Sequence, residues 1–417
     1  MSEVNTPITA AEFLPYDVVI LGAGYAGLMA ALRLGKRGPR RIALVNSSDQ
    51  FTERVRLQEG ICKPVAARIP SIAALVAGTG IEFIPGNIIA LDAARRRVRI
   101  AGAASERELA FDRAIYALGS RIDLEAVPGA DQHAYRLDAG DGPRSVAALR
   151  ARLEQDPLAR VVVVGGHETG LEAAAEIKTR WPSMDVAIIS RSRCADFKGA
   201  KVERAIRSML EHLNVRLIDG QTVAEIRARE IVTITHDTID ITPCDLCVWS
   251  GGLRTPPIGR EAGVSTDPRG RIWVDPNLRS ISHPHLFAVG DAARPMAPTG
   301  AAYRMSAYAA LVSGAYAADA ILDEKVGRQS RPFSYSAYGQ GVAIGRVGVG
   351  FATYPDDQRA LFLITGRTGL RVRNFFVRFL VALLKMERKY PGFFFTLGRR
   401  RVSWQRAKAA MQSAQAA

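Results

Sequence analysis

Two segments of the chain each combine an apolar β-strand, a glycine-rich turn and the start of an alanine-rich helix. In the first, the strand at 16–21 runs into a turn at 22–27 that reads Gly-Ala-Gly-Tyr-Ala-Gly. In the second, the strand at 160–164 runs into a turn at 165–170 that reads Gly-Gly-His-Glu-Thr-Gly. This order of elements is typical of the unit that binds the diphosphate of a dinucleotide. The chain is therefore predicted to hold two dinucleotides on two parallel sheets.

The glycines of the first turn fit a close contact between backbone and diphosphate. The first allows a sharp turn, the second lets the diphosphate approach the backbone, and the third lets the helix pack tightly on the strand. The helix N-terminus adds free N–H groups and the positive end of the helix dipole. The residues predicted to contact the first dinucleotide here are Gly22, Ala23, Gly24, Tyr25, Ala26 and Gly27.

The second turn has a histidine where the first has its middle glycine. A side chain at this position either pushes the diphosphate away or points outward and donates a hydrogen bond to a phosphate, and the sequence leaves both alternatives open. The neighbouring Glu168 adds a negative charge beside a site for an anion. The predicted contacts in this turn are Gly165, Gly166, His167 and Gly170.

Neither unit has the Asp or Glu that ordinarily holds a ribose at the end of the second strand. The first unit has Asn46 there, which still accepts a hydrogen bond. The second unit has Ser190, followed by Arg191 and Arg193. Two arginines suit a 2′-phosphate better than a 2′-hydroxyl, but arginine is also common on protein surfaces. The choice between NADH and NADPH therefore stays open.

Two later strands, each followed by a turn of small residues, make the pattern more specific. The first turn is 117–120, Ala-Leu-Gly-Ser, and the second is 290–293, Gly-Asp-Ala-Ala. Together with the glycine turns, they resemble the two-dinucleotide-binding-domain flavoprotein superfamily over about residues 16–325. The resemblance implies FAD at the first site and NAD(P)H at the second, with Asp291 on the ribityl chain and Glu172 as the catalytic residue that reaches the nicotinamide. Further contacts are implied for FAD at Asn46, Arg54, Ile88, Ala117, Gly119, Gly290, Asp291 and Ala292, and for NAD(P) at Arg191, Arg193 and Gly251.

Within this superfamily the chain is most similar to the type II NADH dehydrogenases and to FAD-dependent NAD(P)H oxidoreductases, including the apoptosis-inducing-factor group. The resemblance implies hydride transfer from NAD(P)H to the flavin, and then electron transfer to a quinone or another small-molecule acceptor. Where the type II enzymes carry a glutamine-containing stretch for the quinone, this chain has 299–306 (Thr-Gly-Ala-Ala-Tyr-Arg-Met-Ser). Two alternatives stay open: a flavoenzyme with a degenerate nicotinamide site that acts on a small molecule with oxygen, and a redox-dependent flavin-binding interaction protein.

The order of the motifs predicts an α/β chain with a NAD(P)-type Rossmann-like domain inserted in a FAD-type one. The expected boundaries are 12–137 and 266–325 for the FAD domain and 138–265 for the NAD(P) domain. Residues 326–417 then form a C-terminal α+β segment with a basic amphipathic helix. A length of 417 residues agrees with two or three domains.

Cysteine usage excludes the disulfide reductases, in which two thiols near the flavin-binding start of the chain carry electrons. Cys62 is alone in that region, whereas Cys244 and Cys247 lie in a predicted core strand. These two are expected to be structural, and no metal site is predicted. Four cysteines and the lack of a signal-peptide pattern lead us to expect a cytoplasmic protein.

The C-terminal tail holds most of the net charge of +15, because residues 365–417 carry twelve basic residues against one acid. Basic residues recur there every seven positions beside an apolar stripe. This pattern predicts either an interfacial helix within 370–404, lying on anionic lipid at the inner face of the membrane, or a helix docked on its own FAD domain. Runs of phenylalanine disfavour nucleic acid, and a homodimer stays open. The stripe consists of Val372, Phe376, Phe379, Leu383, Met386 and Tyr390, and the basic positions are Arg371, Arg378 and Lys385.

Overall fold

A computed structural model describes residues 14–38, 40–69, 71–140, 142–236, 238–296, 302–335, 339–354 and 359–394. The start of the predicted FAD domain at 12–13, the first part of 299–306 and the tail from 395 onward lie outside these ranges. The described residues form a mixed sheet and a parallel sheet, both with helices, several short sheets and a smaller C-terminal unit. The predicted α/β fold class is confirmed.

The first sheet carries the first glycine turn. Strands β3, β2, β1, β6 and β18 run parallel in that order, and β4, β5 and β6 form antiparallel pairs. The apolar run of β1 is fully buried from Val18 to Leu21, as expected for a parallel strand covered on both faces. The elements are β1 (Tyr16–Leu21), β2 (Ile42–Asn46), β3 (Ile81–Pro85), β4 (Asn87–Asp92), β5 (Arg97–Ala101), β6 (Glu106–Tyr116), β18 (Leu286–Ala288), α1 (Tyr25–Leu34), α2 (Ile72–Val76) and α8 (Ala307–Lys325).

The second sheet carries the second glycine turn. Its five strands run parallel in the order β11, β10, β9, β15 and β8. Strand β8 pairs with β15, although it precedes the expected domain boundary at 137. A strand of three residues is not recognisable in the sequence, because it is too short to show an alternation of apolar and polar residues. The elements are β8 (Ala134–Arg136), β9 (Arg160–Val164), β10 (Asp185–Ser190), β11 (Val215–Asp219), β15 (Leu246–Trp249), α4 (Val146–Gln155), α5 (Glu168–Arg180) and α6 (Ala200–His212).

The smaller elements form separate short sheets. An antiparallel pair, β7 with β16, forms where the chain passes between the domains, and β17 pairs with β19. Strands β12, β13 and β14 form an antiparallel sheet within the inserted domain. The bounds are β7 (Arg121–Ile122), β12 (Thr222–Ile226), β13 (Glu230–Thr235), β14 (Thr238–Pro243), β16 (Leu253–Arg254), β17 (Ile272–Trp273), β19 (Ala293–Arg294), α3 (Ala130–His133) and α7 (Ile258–Glu261).

The C-terminal unit is a three-stranded antiparallel sheet covered by one long helix. Its elements are β20 (Gln340–Ile344), β21 (Val347–Thr353), β22 (Ala360–Thr365) and α9 (Gly366–Lys389). Helix α9 packs directly on β20 and β21 and also contacts α1. A Cβ at Gly341 would lie 2.6 Å from the Cβ of Arg373, and one at Gly350 would lie 2.5 Å from Val372 Cγ1. The glycines of this hairpin therefore allow the close approach of the helix.

The buried face of α9 differs from the predicted apolar stripe. The buried positions include Arg373, Val377, Val381, Leu384 and Glu387. Of the predicted stripe, Leu383 is buried as well, whereas Phe379 and Tyr390 are exposed. Two charged side chains, Arg373 and Glu387, point inward because each is paired with a buried counter-charge. A pattern of apolar residues alone does not predict a buried face that contains charged residues.

Arg373 pairs with Glu172 of the second domain in the interior. The two guanidinium nitrogens Nε and Nη2 donate to the two carboxylate oxygens of Glu172 at 2.9 and 2.7 Å. Glu172 also accepts a hydrogen bond from the backbone N–H of Ala343 at 2.8 Å, and Arg373 Nη1 donates to Glu59 at 3.1 Å. Burial raises the pKa of the Glu172 carboxyl, and the Arg373 charge opposes this rise. This cluster joins α9, β20 and both dinucleotide domains.

A second buried ion pair fixes the other end of α9. Arg33 of α1 donates to Glu387 at 3.0 Å and to Asp319 of α8 at 2.8 Å. Glu387 further accepts hydrogen bonds from the backbone N–H groups of Gly392 and Phe394, at 2.6 and 3.3 Å. The helix is thus anchored near its start through Arg373 on Glu172 of the second domain, and near its end through Glu387 on Arg33 of the first.

Replacing Arg373 tests the first of these anchors. Arg373→Met leaves a buried carboxylate without its counter-charge, so we expect a loss of about 3–5 kcal/mol in the free energy of unfolding. Urea unfolding followed by far-UV circular dichroism measures the loss, with the exposed neighbour Arg371→Met as the matched control. Adding Glu172→Gln should restore part of the stability. Equal midpoints for Arg373→Met and Arg371→Met would contradict the role of this pair.

Candidate active site

One cavity of about 690 Å³ lies between the two glycine turns. Residues of the first turn and of the second turn both contribute to its wall, and so do residues that follow β6, β15 and β18. The carboxyl ends of these parallel strands meet at the cavity, which is where α/β sheets bind ligands. The predicted site residues on the wall are Gly22, Gly24, Tyr25, Ala26, Asn46, Arg54, Ile88, Ala117, Gly119, His167, Gly290 and Asp291.

The remaining predicted residues stand behind this wall or away from it. Gly27, Gly165, Gly166 and Gly170 shape the turns, and Ala23 and Ala292 flank wall residues. Gly251 lies next to Gly252, which does line the cavity. Glu172, Arg191 and Arg193 are not part of the wall.

The first turn has the geometry that a bound diphosphate requires. Gly22 has φ +98°, and a Cβ there would lie 2.6 Å from the carbonyl oxygen of Ala117. A Cβ at Gly27 would overlap the carbonyl of Gly22, whereas one at Gly24 would meet nothing within 4 Å. Gly24 is also the N-cap of α1. The open space at Gly24 therefore lies in front of the free N–H groups of a helix N-terminus, and it fits the diphosphate of FAD.

The second turn repeats this geometry in spite of its histidine. Gly165 has φ +124°, a Cβ there would lie 2.6 Å from the carbonyl oxygen of Ser250, and a Cβ at Gly170 would overlap the carbonyl of Gly165. His167 is the N-cap of α5 with φ −98° and ψ 179°, close to the values of −72° and −168° at Gly24. The turn is not displaced, and the exposed imidazole lies 5.9 Å from the ring of Phe197. That the imidazole contacts a phosphate stays a prediction.

Two residues of the cavity wall that lie far apart in the sequence, Arg54 and Asp291, are both hydrogen-bonded to Ser120. Ser120 Oγ donates to Asp291 Oδ2 at 2.7 Å, and the guanidinium of Arg54 donates to the carbonyl oxygen of Ser120. The hydrogen bond from Ser120 fixes the Asp291 carboxylate at the wall. Asn46, by contrast, accepts a hydrogen bond from the backbone N–H of Ala23 at 2.9 Å. Its acceptor is thus used to hold the first glycine turn.

Glu172 has different neighbours from those expected. Its side chain is buried away from the cavity, and both carboxylate oxygens are held by Arg373. The acid of α5 that does line the cavity is Glu168, whose Oε1 accepts from Arg304 Nη1 at 3.2 Å. The sequence pattern did not reveal Arg304, because it precedes α8 and is separated from Glu168 by more than a hundred residues.

The two arginines after β10 have different environments. Arg193 Nε donates to Glu203 Oε1 at 2.7 Å. For Arg191, which is exposed, the described part of the chain provides no hydrogen bond or ion pair. Arg191 is therefore the more available of the two for an anionic ligand.

Comparisons with known proteins identify relatives of the chain. A family model described as pyridine nucleotide-disulphide oxidoreductase matches residues 16–314. Demethylphylloquinone reductase NdbB of Synechocystis sp. is 26% identical over 343 residues, which cover 79% of this chain and 85% of that protein. An NADH dehydrogenase-like protein of Mycobacterium tuberculosis is 29% identical over 295 residues, with 66% and 72% coverage. The structure of NDH2 from Plasmodium falciparum in complex with NADH covers 91% of this chain and 99% of its own, with a TM-score of 0.73 and 14% identity.

Gly24 provides a direct test of the first dinucleotide site. Gly24→Val should fold, because φ is negative and no atom lies within 4 Å of the added Cβ. It should lose FAD, because the side chain fills the space in front of the helix N-terminus. Flavin absorbance per protein, combined with the thermal melting temperature, measures both effects. The control is Gly140→Val, an exposed glycine elsewhere, and a Gly24→Val protein with full flavin occupancy would refute the assignment.

Proposed function

The chain belongs to the pyridine nucleotide-disulphide oxidoreductase family, and we propose that it passes electrons from NAD(P)H through FAD to a membrane quinone. The family match confirms the predicted oxidoreductase with FAD and NAD(P)H. The main support for the proposal is that residues of both glycine turns line the same cavity, so dinucleotides bound at the two turns would share it. When bound, FAD supplies the hydride-accepting chemistry, and the protein supplies binding and orientation.

The residues of the wall divide between these two tasks. The turn from Gly22 to Gly27 binds the diphosphate of FAD at the N-terminus of α1. Asp291 accepts a hydrogen bond from Ser120 at Oδ2, and its other carboxylate oxygen would accept one from a ribityl hydroxyl. The turn from Gly165 to Gly170 binds the coenzyme on the opposite side, with His167 at its edge.

An exposed apolar surface on the C-terminal unit supports a membrane-borne acceptor. It consists of Phe375 and Phe379 of α9, which are 60% and 38% exposed and whose ring centroids lie 5.7 Å apart. We call this surface the outer face. Arg371, Arg378 and Lys385 are exposed on the same helix, and basic residues next to apolar ones bind anionic lipid surfaces. None of the helices within the described ranges has an apolar stretch long enough to cross a bilayer.

A row of aromatic rings extends from a small pocket beside Gly290 towards the end of α9. Tyr303 stacks on Tyr335 with ring centroids 4.5 Å apart, and Tyr308 lies 6.0 Å from Tyr335 and 6.3 Å from Phe394. Burial raises the pKa of Tyr303 to about 12, so its hydroxyl stays protonated. Flat aromatic surfaces of this kind suit a quinone ring. Quinone reduction also agrees with the name of the cyanobacterial relative.

The second turn favours one alternative function. His167 replaces a glycine and Glu168 adds a negative charge at the cavity, so a weak nicotinamide site would leave a flavoenzyme that acts on another small molecule with oxygen. The two functions differ in whether NAD(P)H reduces the flavin. The intact backbone geometry of the second turn supports reduction by NAD(P)H, as in the proposed function.

The quinone proposal is tested on the outer face. Phe375→Ser/Phe379→Ser should lose binding to phosphatidylglycerol vesicles and the reduction of a long-chain quinone embedded in them, because apolar area and lipid charge act together. Reduction of a short-chain soluble quinone should be unchanged. The control is Ile239→Ser/Ile241→Ser, which removes two exposed isoleucines from β14. Equal vesicle binding by the two double variants would contradict a membrane role for the outer face, and no quinone reduction by the wild-type protein would contradict the function.

Coenzyme preference is tested on the loop after β10. If Arg191 pairs with the 2′-phosphate, Arg191→Ala should raise the Kd for NADPH roughly tenfold and leave that for NADH unchanged. Arg193→Ala is the control, because its guanidinium is already paired with Glu203. Titration of the flavoprotein with non-reducing analogues of NADPH and NADH gives the ratio of their two Kd values. An unchanged ratio in Arg191→Ala would show that this arginine is only surface charge.

A further inference from the structure

Glu168 and Arg304 form an ion pair between the two dinucleotide domains. Glu168 is the first residue of α5 in the NAD(P) domain, and Arg304 precedes α8 of the FAD domain. Their closest atoms are 3.2 Å apart, and each side chain is 35% exposed. Glu168 lines the cavity, as do Met305 and Ser306, which follow Arg304 directly. The pair therefore holds a carboxylate at the cavity wall on the coenzyme side.

Acids are scarce on this wall. Of the described residues that line the cavity, two carry carboxylates: Asp291 and Glu168. Asp291 belongs to the flavin side and is bonded to Ser120. Glu172, the acid that the sequence pattern assigns to the nicotinamide, has its carboxylate held by Arg373 and the N–H of Ala343. Glu168 is thus the carboxylate that a coenzyme bound at α5 would meet.

We propose that Glu168 recognises the nicotinamide carboxamide and that Arg304 is its positioning residue. Oxygen Oε1 of Glu168 is bonded to Arg304, whereas Oε2 makes no hydrogen bond to another described residue. A carboxamide N–H donates well to such an oxygen, and hydrogen bonds to a charged acceptor are about twice as strong as neutral ones. This inference rests on the proposed function, because it requires NAD(P)H as the electron donor.

The ion pair also explains how a negative charge at Glu168 is compatible with a bound diphosphate. A free carboxylate at the N-terminus of α5 would repel the diphosphate of the coenzyme. The guanidinium of Arg304 neutralises this charge and holds the carboxylate on the side of α8. The carboxylate then faces the cavity without opposing the diphosphate at the turn.

Two ligands separate recognition of the nicotinamide from binding of the diphosphate. We compare the Kd values of NAD⁺ and of ADP-ribose, which lacks nicotinamide, for the FAD-loaded full-length protein by isothermal titration calorimetry. Glu168→Ala should weaken NAD⁺ roughly tenfold and change ADP-ribose by less than about threefold. Arg304→Met should also raise the ratio of the Kd for NAD⁺ to the Kd for ADP-ribose, and Arg304→Lys should return this ratio to the wild-type value. If the protein prefers the phosphorylated coenzyme, NADP⁺ and 2′-phospho-ADP-ribose replace the two ligands.

The control is Asp185→Ala, which removes one carboxylate from a surface ion pair with Arg216 in the same domain. It should leave both Kd values unchanged. An equal change for NAD⁺ and ADP-ribose in Glu168→Ala, or no change, would overturn the inference and reduce the pair to a brace between domains. A wild-type protein that binds ADP-ribose and NAD⁺ equally would also overturn it. Failure of the wild-type protein to bind either ligand would instead refute the proposed function.

Discussion

The close contact between strand and helix at each glycine turn is the constraint on which both binding sites depend. At Gly27 and Gly170 any Cβ would overlap the carbonyl of the first glycine of the turn. This contact places the N-termini of α1 and α5 at the edges of their sheets with their N–H groups free. Residues of both turns, at the start of both helices, line one cavity. Two dinucleotides bound at these turns would share this cavity, as the proposed hydride transfer requires.

Buried charges then determine how the C-terminal unit sits on the two domains. Arg373 connects α9 to Glu172 of the coenzyme domain, and Arg33 connects it to α1 of the FAD domain through Glu387. These pairs turn a charged strip of α9 inward and leave Phe375 and Phe379 outside. The helix that holds the domains together therefore also presents the surface proposed to meet the membrane.

The sequence predicted the parallel strands at both glycine turns and many of the residues that line the cavity, because strand, turn and helix follow one another locally. It misplaced the buried face of α9 and gave no sign of the neighbours of Glu172, since both depend on ion pairs between distant segments. Arg373 lies two hundred positions from its partner. Strand β8 was missed because three residues carry no periodicity. Local sequence patterns thus predict the strand–turn–helix units. The position of the C-terminal unit on them depends on ion pairs between distant segments, which local patterns do not predict.

Direct reduction of the flavin by the coenzyme tests the central claim that two dinucleotides share the cavity. The oxidised protein would be mixed anaerobically with NADH or NADPH in a stopped-flow instrument, with the coenzyme either unlabelled or deuterated at C4. We predict loss of the oxidised-flavin absorbance with at least one coenzyme, and slower loss with deuterium, because a hydride passes directly between the rings. A flavin that dithionite reduces but neither coenzyme does would contradict the account and leave the second site without a role in electron transfer.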